Sequence, residues 1–110
     1  MKNVLFLKSD KIGDGELGEK ILAGFLSNLK DTPNFPKIII CVNDSVLINT
    51  NESHISHVAM KELSNLGVEI INCRTCLEYF GKIDELKIGK IGNAKEILEN
   101  LCESAKVISL

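Results

Sequence analysis

The chain has 110 residues, 45% hydrophobic and 25% charged, with a formal net charge of -2. That length suits one domain spanning residues 1–110 and leaves no room for two, while allowing a core that needs no disulfide staples. The near-neutral charge gives no electrostatic reason to expect nucleic acid, and no basic run marks a membrane surface.

The apolar run at Val4–Leu7 is too short for a signal-peptide core. No stretch approaches the roughly 20 apolar residues of a membrane helix. Both points place the chain in the cytoplasm. There its four cysteines stay mostly reduced, so a disulfide scaffold is not expected.

In chain order, Val4–Leu7 reads as a buried strand. Ser9–Gly15 is a polar loop carrying Gly13 and Gly15. The spacing of Leu17, Ile21, Phe25 and Leu29 then predicts a helix with these residues inward. It stops before Pro33 and Pro36, which cannot continue it. Ile38–Val42 is a second strand. Asn43–Ser53 reads as a long polar loop, a lid or a subunit contact. A helix from His54 to Leu66 follows, with Ile55, Val58, Ala59, Leu63 and Leu66 inward and Gly67 as its C-cap. Val68–Ile71 is a third strand, and Cys73-Arg74-Thr75-Cys76 comes at once after it. Cys76–Phe80 is a short helix closed by Gly81. Leu86–Ile91 is a weaker fourth strand. Asn93 and Glu96 form a capping pair for a last helix, whose apolar face is Ala94, Ile97, Leu98 and Leu101. Lys106–Leu110 is the final strand.

Strands alternating with helices imply a parallel sheet covered on both faces. The expectation is an α/β, flavodoxin-like three-layer domain with a five-stranded parallel sheet in the common order 2-1-3-4-5. Ligands bind such sheets at the C-terminal strand ends. The Ser9–Gly15, Asn43–Ser53, Cys73–Cys76 and Gly89–Gly92 loops are expected there, with the cysteine pair beside the glycine loop.

Two cysteines separated by two residues can face one small site. A helix N-terminus favours thiolate over thiol, and Arg74, the only arginine in the chain, adds a fixed positive charge between them. Thiolate attacks sulfur, and a second thiol can resolve the adduct. Cys73, Cys76 and Arg74 are therefore the candidate catalytic residues. Ser9, Asp10, Gly13, Asn43 and Thr75 are candidate binding residues on the same edge. The plainer readings are inert thiols, or a disulfide of no consequence. Cys41 and Cys102 read as core or near-core thiols. His54 and His57 read as solvated side chains. A zinc site from Cys73, Cys76, His54 and His57 is not expected, because the pairs lie on separate loops. The glycine loop lacks the Walker pattern and the dinucleotide fingerprint. It reads as a turn with Asp14 capping the next helix. No cofactor and no metal are implied.

The segments Ser9-Asp10-Lys11-Ile12-Gly13-Asp14-Gly15, Leu17-Gly18 and Gly24-Phe25-Leu26 carry a family resemblance. So do Gly67-Val68-Glu69-Ile70-Ile71-Asn72-Cys73-Arg74-Thr75-Cys76-Leu77, Lys87-Ile88-Gly89, Asn93 and Ala105-Lys106-Val107-Ile108. Together they resemble the DsrE-like C-terminal domain of the YedF proteins, in order and over nearly the whole chain. The resemblance implies a DsrE/DsrF-like fold and a sulfurtransferase-like role in sulfur or selenium metabolism. By motif position, Cys73 matches a persulfide-carrying cysteine of sulfur-relay relatives. The resemblance also implies a homo-oligomer, a trimer or hexamer, and a TusA-like sulfur carrier as partner. Two departures stand out. Arg74 replaces the glycine of the family's Cys-Gly-Thr-Cys motif. A TusA-like domain precedes this one in YedF proteins, whereas here Met1 leads directly into the first strand. Either a partner supplies that domain or the chain works without it.

Two function classes are open. One is a sulfur or selenium carrier with sulfurtransferase-like chemistry on the Cys73-Arg74-Thr75-Cys76 motif. The other is a non-catalytic oligomeric partner module with structural cysteines.

Overall fold

The structure is a computed structural model that describes residues 2–110; Met1 lies outside the described residues. Among these, five strands form one parallel sheet: β1 (Asn3–Leu7), β2 (Ile38–Cys41), β3 (Glu69–Cys73), β4 (Lys90–Gly92) and β5 (Lys106–Ser109). The helices are α1 (Gly15–Leu29), α2 (His57–Asn65), α3 (Arg74–Tyr79) and α4 (Ala94–Glu103). The α/β three-layer expectation holds. No helix among the described residues is long and apolar enough to cross a membrane.

The strand order is β4-β3-β2-β1-β5, not the expected 2-1-3-4-5. The difference follows from where the helices pack. In the expected order α1 and α2 cover opposite faces. Here Leu22 and Leu26 of α1 share one apolar cluster with Ala59, Met60 and Leu63 of α2 and Leu77 of α3. The Lys30–Glu62 ion pair at 2.9 Å ties the first two helices together. With successive crossovers on one face, each strand steps the same way along the sheet. Only α4 lies on the other face, where Ile97 packs on Val4, Ile38, Ile40 and Ile71. It carries the chain back from β4 to set β5 beside β1. The central strand β2 is buried along its whole length, whereas β5 at the edge is mostly exposed, as expected of a parallel sheet covered on both faces.

The buried face of α1 is rotated from the one expected, and those of α2 and α4 are narrower than expected. In α1, Gly18, Leu22 and Leu26 are buried, while Leu17 is 70% exposed and Phe25 54%. Gly18 explains the rotation. The glycine loop folds back onto it, and a Cβ there would lie 2.9 Å from the carbonyl carbon of Gly13. In α2, Ala59 and Leu63 point inward as expected, with Met60, whereas Val58, and Ile55 and Leu66 flanking the helix, are exposed. In α4, Ile97 is buried and Leu101 partly so, leaving Ala94, Leu98 and Cys102 outside. A ten-residue helix alone on its face buries a stripe only one or two residues wide.

Three loop expectations also change. Residues Asn43–Asn49 form a 3-10 segment with Ser45, Val46, Ile48 and Asn49 buried, so this stretch is packed structure and not a lid. Val46 and Ile48 anchor it in the core, and the Ser45 hydroxyl donates to the Leu7 carbonyl at 2.9 Å. The fourth strand is only Lys90–Gly92, so Gly89 lies at the entry to β4 instead of the ligand edge. Asp14 occupies the N-cap of α1 but makes no side-chain cap bond. Asn93 does cap α4, accepting the Glu96 N–H at 2.9 Å.

Asn72, fully buried within β3, braces three elements. Its Nδ2 donates to the carbonyls of Ile88 at 3.0 Å and Lys90 at 3.2 Å, and its Oδ1 accepts from Asn49 Nδ2 at 2.6 Å. Replacing Asn72 by alanine strands these buried partners and should cost about 2 kcal/mol or more of stability, read as a lower urea midpoint. Gly89 has φ +82°, and a Cβ there would overlap the Ile70 carbonyl oxygen. Gly89→Ala should therefore also lower the midpoint, by about 2 kcal/mol. Gly24→Ala is the matched control, because Gly24 lies within α1 with nothing in a Cβ's way.

Candidate functional site

Cys73 is the last residue of β3 and the N-cap of α3. Its Sγ accepts the Cys76 N–H at 3.3 Å. It is partly buried and touches the apolar clusters on both sides of the sheet. Cys76 sits in the first turn of α3, and its Sγ accepts the main-chain N–H of Asn43 at 3.1 Å. Asn43 has φ +55°, the left-handed region that asparagine tolerates better than most side chains. Cys76 lines an apolar cleft of about 360 Å³ with Val42, Asn43, Thr75, Tyr79 and Phe80. Tyr79 is 84% exposed and meets Phe80 edge to face. Arg74 and Thr75 are exposed at the start of the helix.

All four cysteines are free. Burial pushes the Cys76 thiol up to about 11. The hydrogen bond and charge of Cys73 push the same way and outweigh the opposing Asn43 N–H. Cys76 thus keeps its proton at neutral pH. Cys41 is fully buried with Asn49 Nδ2 3.4 Å from its sulfur, and burial raises its thiol to about 12. Cys102 is exposed, correcting the expectation of a near-core thiol. It shares the outer stripe of α4 with Leu98, one turn away.

The second group of predicted residues lies on the β1–α1 loop. Asp10 Oδ1 accepts from Lys11 Nζ at 2.7 Å, and Asp10 Oδ2 lies 3.0 Å from His54 Nε2. The His54 Nδ1 accepts the Ser56 N–H at 3.1 Å, so Nε2 carries the proton and donates to Asp10. Burial alone would raise the Asp10 carboxyl, but the hydrogen bonds of Lys11 and His54 and the charge of Lys11 hold it below the ordinary carboxylate value. The Asp10 N–H donates to Asp44 Oδ1 at 3.0 Å. Ser9 Oγ accepts the Lys11 N–H at 3.3 Å, and Gly13 turns the loop at φ +82°. Asp10 and His54 also line a cleft of about 730 Å³ with Thr50, Glu52, Lys82 and Lys87.

Neither histidine is a solvated side chain. His54 is tied to Asp10, and His57 is buried with Nδ1 2.7 Å from the Ile48 carbonyl. The Asp10–His54 pair spans 44 positions, and no spacing rule joins residues that far apart. Among the described residues, no cluster of histidine, cysteine and carboxylate side chains could hold a metal ion.

The predicted residues therefore fall into two groups. Cys73, Arg74, Thr75, Cys76 and Asn43 meet at the start of α3, while Ser9, Asp10 and Gly13 gather around Lys11, Asp44 and His54. The Asn43–Asp44 step joins them. Because β2 lies between β1 and β3, the cysteine pair lies against the end of β2 and not beside the glycine loop.

The sequence matches no family model and no curated relative. Solved structures do match. The ychN protein from E. coli is 15% identical, with a TM-score of 0.69 over 100% of both chains. A protein of unknown function from Methanobacterium thermoautotrophicum is 21% identical, with a TM-score of 0.67 over 98% of this chain and 97% of its own. A conserved protein of unknown function from Bacteroides thetaiotaomicron is 19% identical, with a TM-score of 0.64 over 98% and 94%. The chain shares with these proteins a fold in which one five-stranded parallel sheet lies between helical layers.

Proposed function

We propose that this chain is a sulfur- or selenium-relay protein of the DsrE-like kind, sulfurtransferase-like, with Cys73 as its carrier thiol. The observation that carries the reading is the coupled pair at the end of β3. Cys73 Sγ takes the Cys76 N–H, and the Cys76 thiol beside it lines an open cleft. The resemblance to YedF domains and the likeness in fold to ychN support it.

The chemistry balances with few parts. The Cys73 thiolate attacks the outer sulfur of a donor persulfide, R–S–SH. A bond forms between Cys73 Sγ and that sulfur, the donor S–S bond breaks, and the donor leaves as R–S⁻. An acceptor thiolate can then attack the outer sulfur and release Cys73. Alternatively, Cys76 loses its proton to solvent and attacks Cys73 Sγ. The Cys73–Cys76 disulfide forms, the carried sulfur leaves as hydrosulfide, and an external thiol reduces the disulfide. The exposed Arg74 supplies positive charge where the anionic donor approaches. A cytoplasmic setting keeps both thiols reduced, and a TusA-like carrier protein fits the donor role.

A non-catalytic module is the second reading, favoured by exposed apolar side chains on three helices: Leu17 and Phe25 on α1, Val58 on α2 and Leu98 on α4. These side chains lie on both faces of the molecule, and with the family resemblance they support a homo-oligomer under either reading. Light scattering at micromolar concentration should give a trimer or hexamer; a monomer overturns the assembly.

Incubation with a persulfide donor should add one sulfur atom to the intact mass. Cys73→Ser should abolish that gain. Cys76→Ser should keep it but slow hydrosulfide release by roughly tenfold or more, since an intramolecular attack becomes a bimolecular one. Normal loading of the Cys73→Ser protein sinks the carrier reading. Alkylation resolved by cysteine gives a further check. Cys76 should react slowly near neutral pH and faster as pH rises toward about 11, and Cys41, held to about 12, should be slowest. Cys102 is exposed and labels under either reading.

A further inference from the structure

The attack of Cys76 on a loaded Cys73 needs the Cys76 sulfur as an anion. That sulfur is partly buried, lines an apolar cleft and keeps its proton. The main-chain N–H of Asn43, at 3.1 Å, opposes this. Its direction follows from the strand before it. The preceding residue, Val42, still donates to Leu7 as a continuation of the sheet at 3.1 Å. Val42 is extended, with ψ 165°, so the next N–H points to the opposite side of β2, across to α3, and only after it does the chain turn left-handed, with φ +55° at Asn43. Several contacts hold that turn. The Ser45 hydroxyl bonds to the Leu7 and Val42 carbonyls. Asp44 Oδ1 takes the Asp10 N–H, and Asp10 is itself fixed by Lys11 and His54.

We infer that Asn43 is a positioning residue of the thiol pair, whose main-chain N–H faces Cys76 and, held in place by the left-handed turn that ends β2 there, stabilises the thiolate that releases cargo from Cys73. The role belongs to the backbone. The side chain matters only because asparagine accepts the left-handed turn at little cost. Glycine should serve as well, and a β-branched residue should not. The catalytic significance of this contact rests on the relay reading; the contact itself does not.

The test uses the Cys73→Ser protein, in which Cys76 is the remaining thiol of the motif, and follows Cys76 alkylation against pH by peptide mass spectrometry. Asn43→Gly should leave the midpoint in place, and Asn43→Val should raise it by about one pH unit, a tenfold loss of thiolate at fixed pH. With Cys73 restored, Asn43→Val should slow hydrosulfide release while sulfur loading proceeds as before. A purely structural role would lower the melting temperature without moving the Cys76 midpoint. Should Asn43→Val fail to fold, an NMR titration of the Cys73→Ser protein decides. The Asn43 amide proton must then shift with the ionisation of Cys76. An unmoved midpoint in Asn43→Val, or an Asn43 amide indifferent to Cys76, overturns the inference. A wild-type protein that never loads sulfur refutes the relay instead, and the Cys76 midpoint still decides the role of Asn43.

Discussion

The side-chain amide of Asn72 is the brace on which the site depends. A polar group inside a parallel sheet is tolerable only when its donors and acceptors are used, and Asn72 uses them on three elements at once. Its amide protons satisfy the carbonyls at the entry to β4, and its oxygen takes the Asn49 amide from the 3-10 segment. Asn49 in turn reaches the buried Cys41 sulfur. One residue later the strand ends at Cys73. The thiol is therefore held by a rigid strand on one side and a helical turn on the other, the kind of support that precise chemistry needs.

That support gives the two sulfurs unlike surroundings. Cys73 caps a helix and contacts both sides of the sheet. Cys76 lies against an aromatic pair and takes an N–H from another loop. Motif symmetry hides this difference, and the burial of Cys76 makes it chemical. The two thiols of the motif are therefore not interchangeable in their contacts.

Much of the fold was legible because the strands are short apolar runs and the punctuation is unambiguous. Gly67 and Gly81 close their helices with positive φ, and Asn93 caps α4 as its spacing requires. Strand order was not legible, because Ile38–Cys41 is apolar on both sides and says nothing about which face its neighbours' helices cover. Helix faces slipped for a related reason. Leu17 and Leu22 are equally apolar, and only the close approach at Gly18 selects the second. In the site, Cys73 and Cys76 followed from spacing. The contacts that differentiate them, Asn43 to Cys76 and His54 to Asp10, come from separate loops and leave no local trace. The exposure of Cys102 leaves no mark in the sequence, because a lone helix on a sheet face has an apolar stripe wider than the strip it buries.

The return of α4 across the far face has a consequence for how the molecule is made. β1 pairs with β2 early in the chain, but its other edge waits for β5, about a hundred positions later. Until α4 and β5 leave the ribosome, Val4, Ile38, Ile40 and Ile71 lack the Ile97 contact and β1 has a bare backbone edge. Such long-range closure slows folding and leaves strand edges open to other chains. Any partly made or partly unfolded form that lacks α4 and β5 would therefore expose this edge and these side chains together.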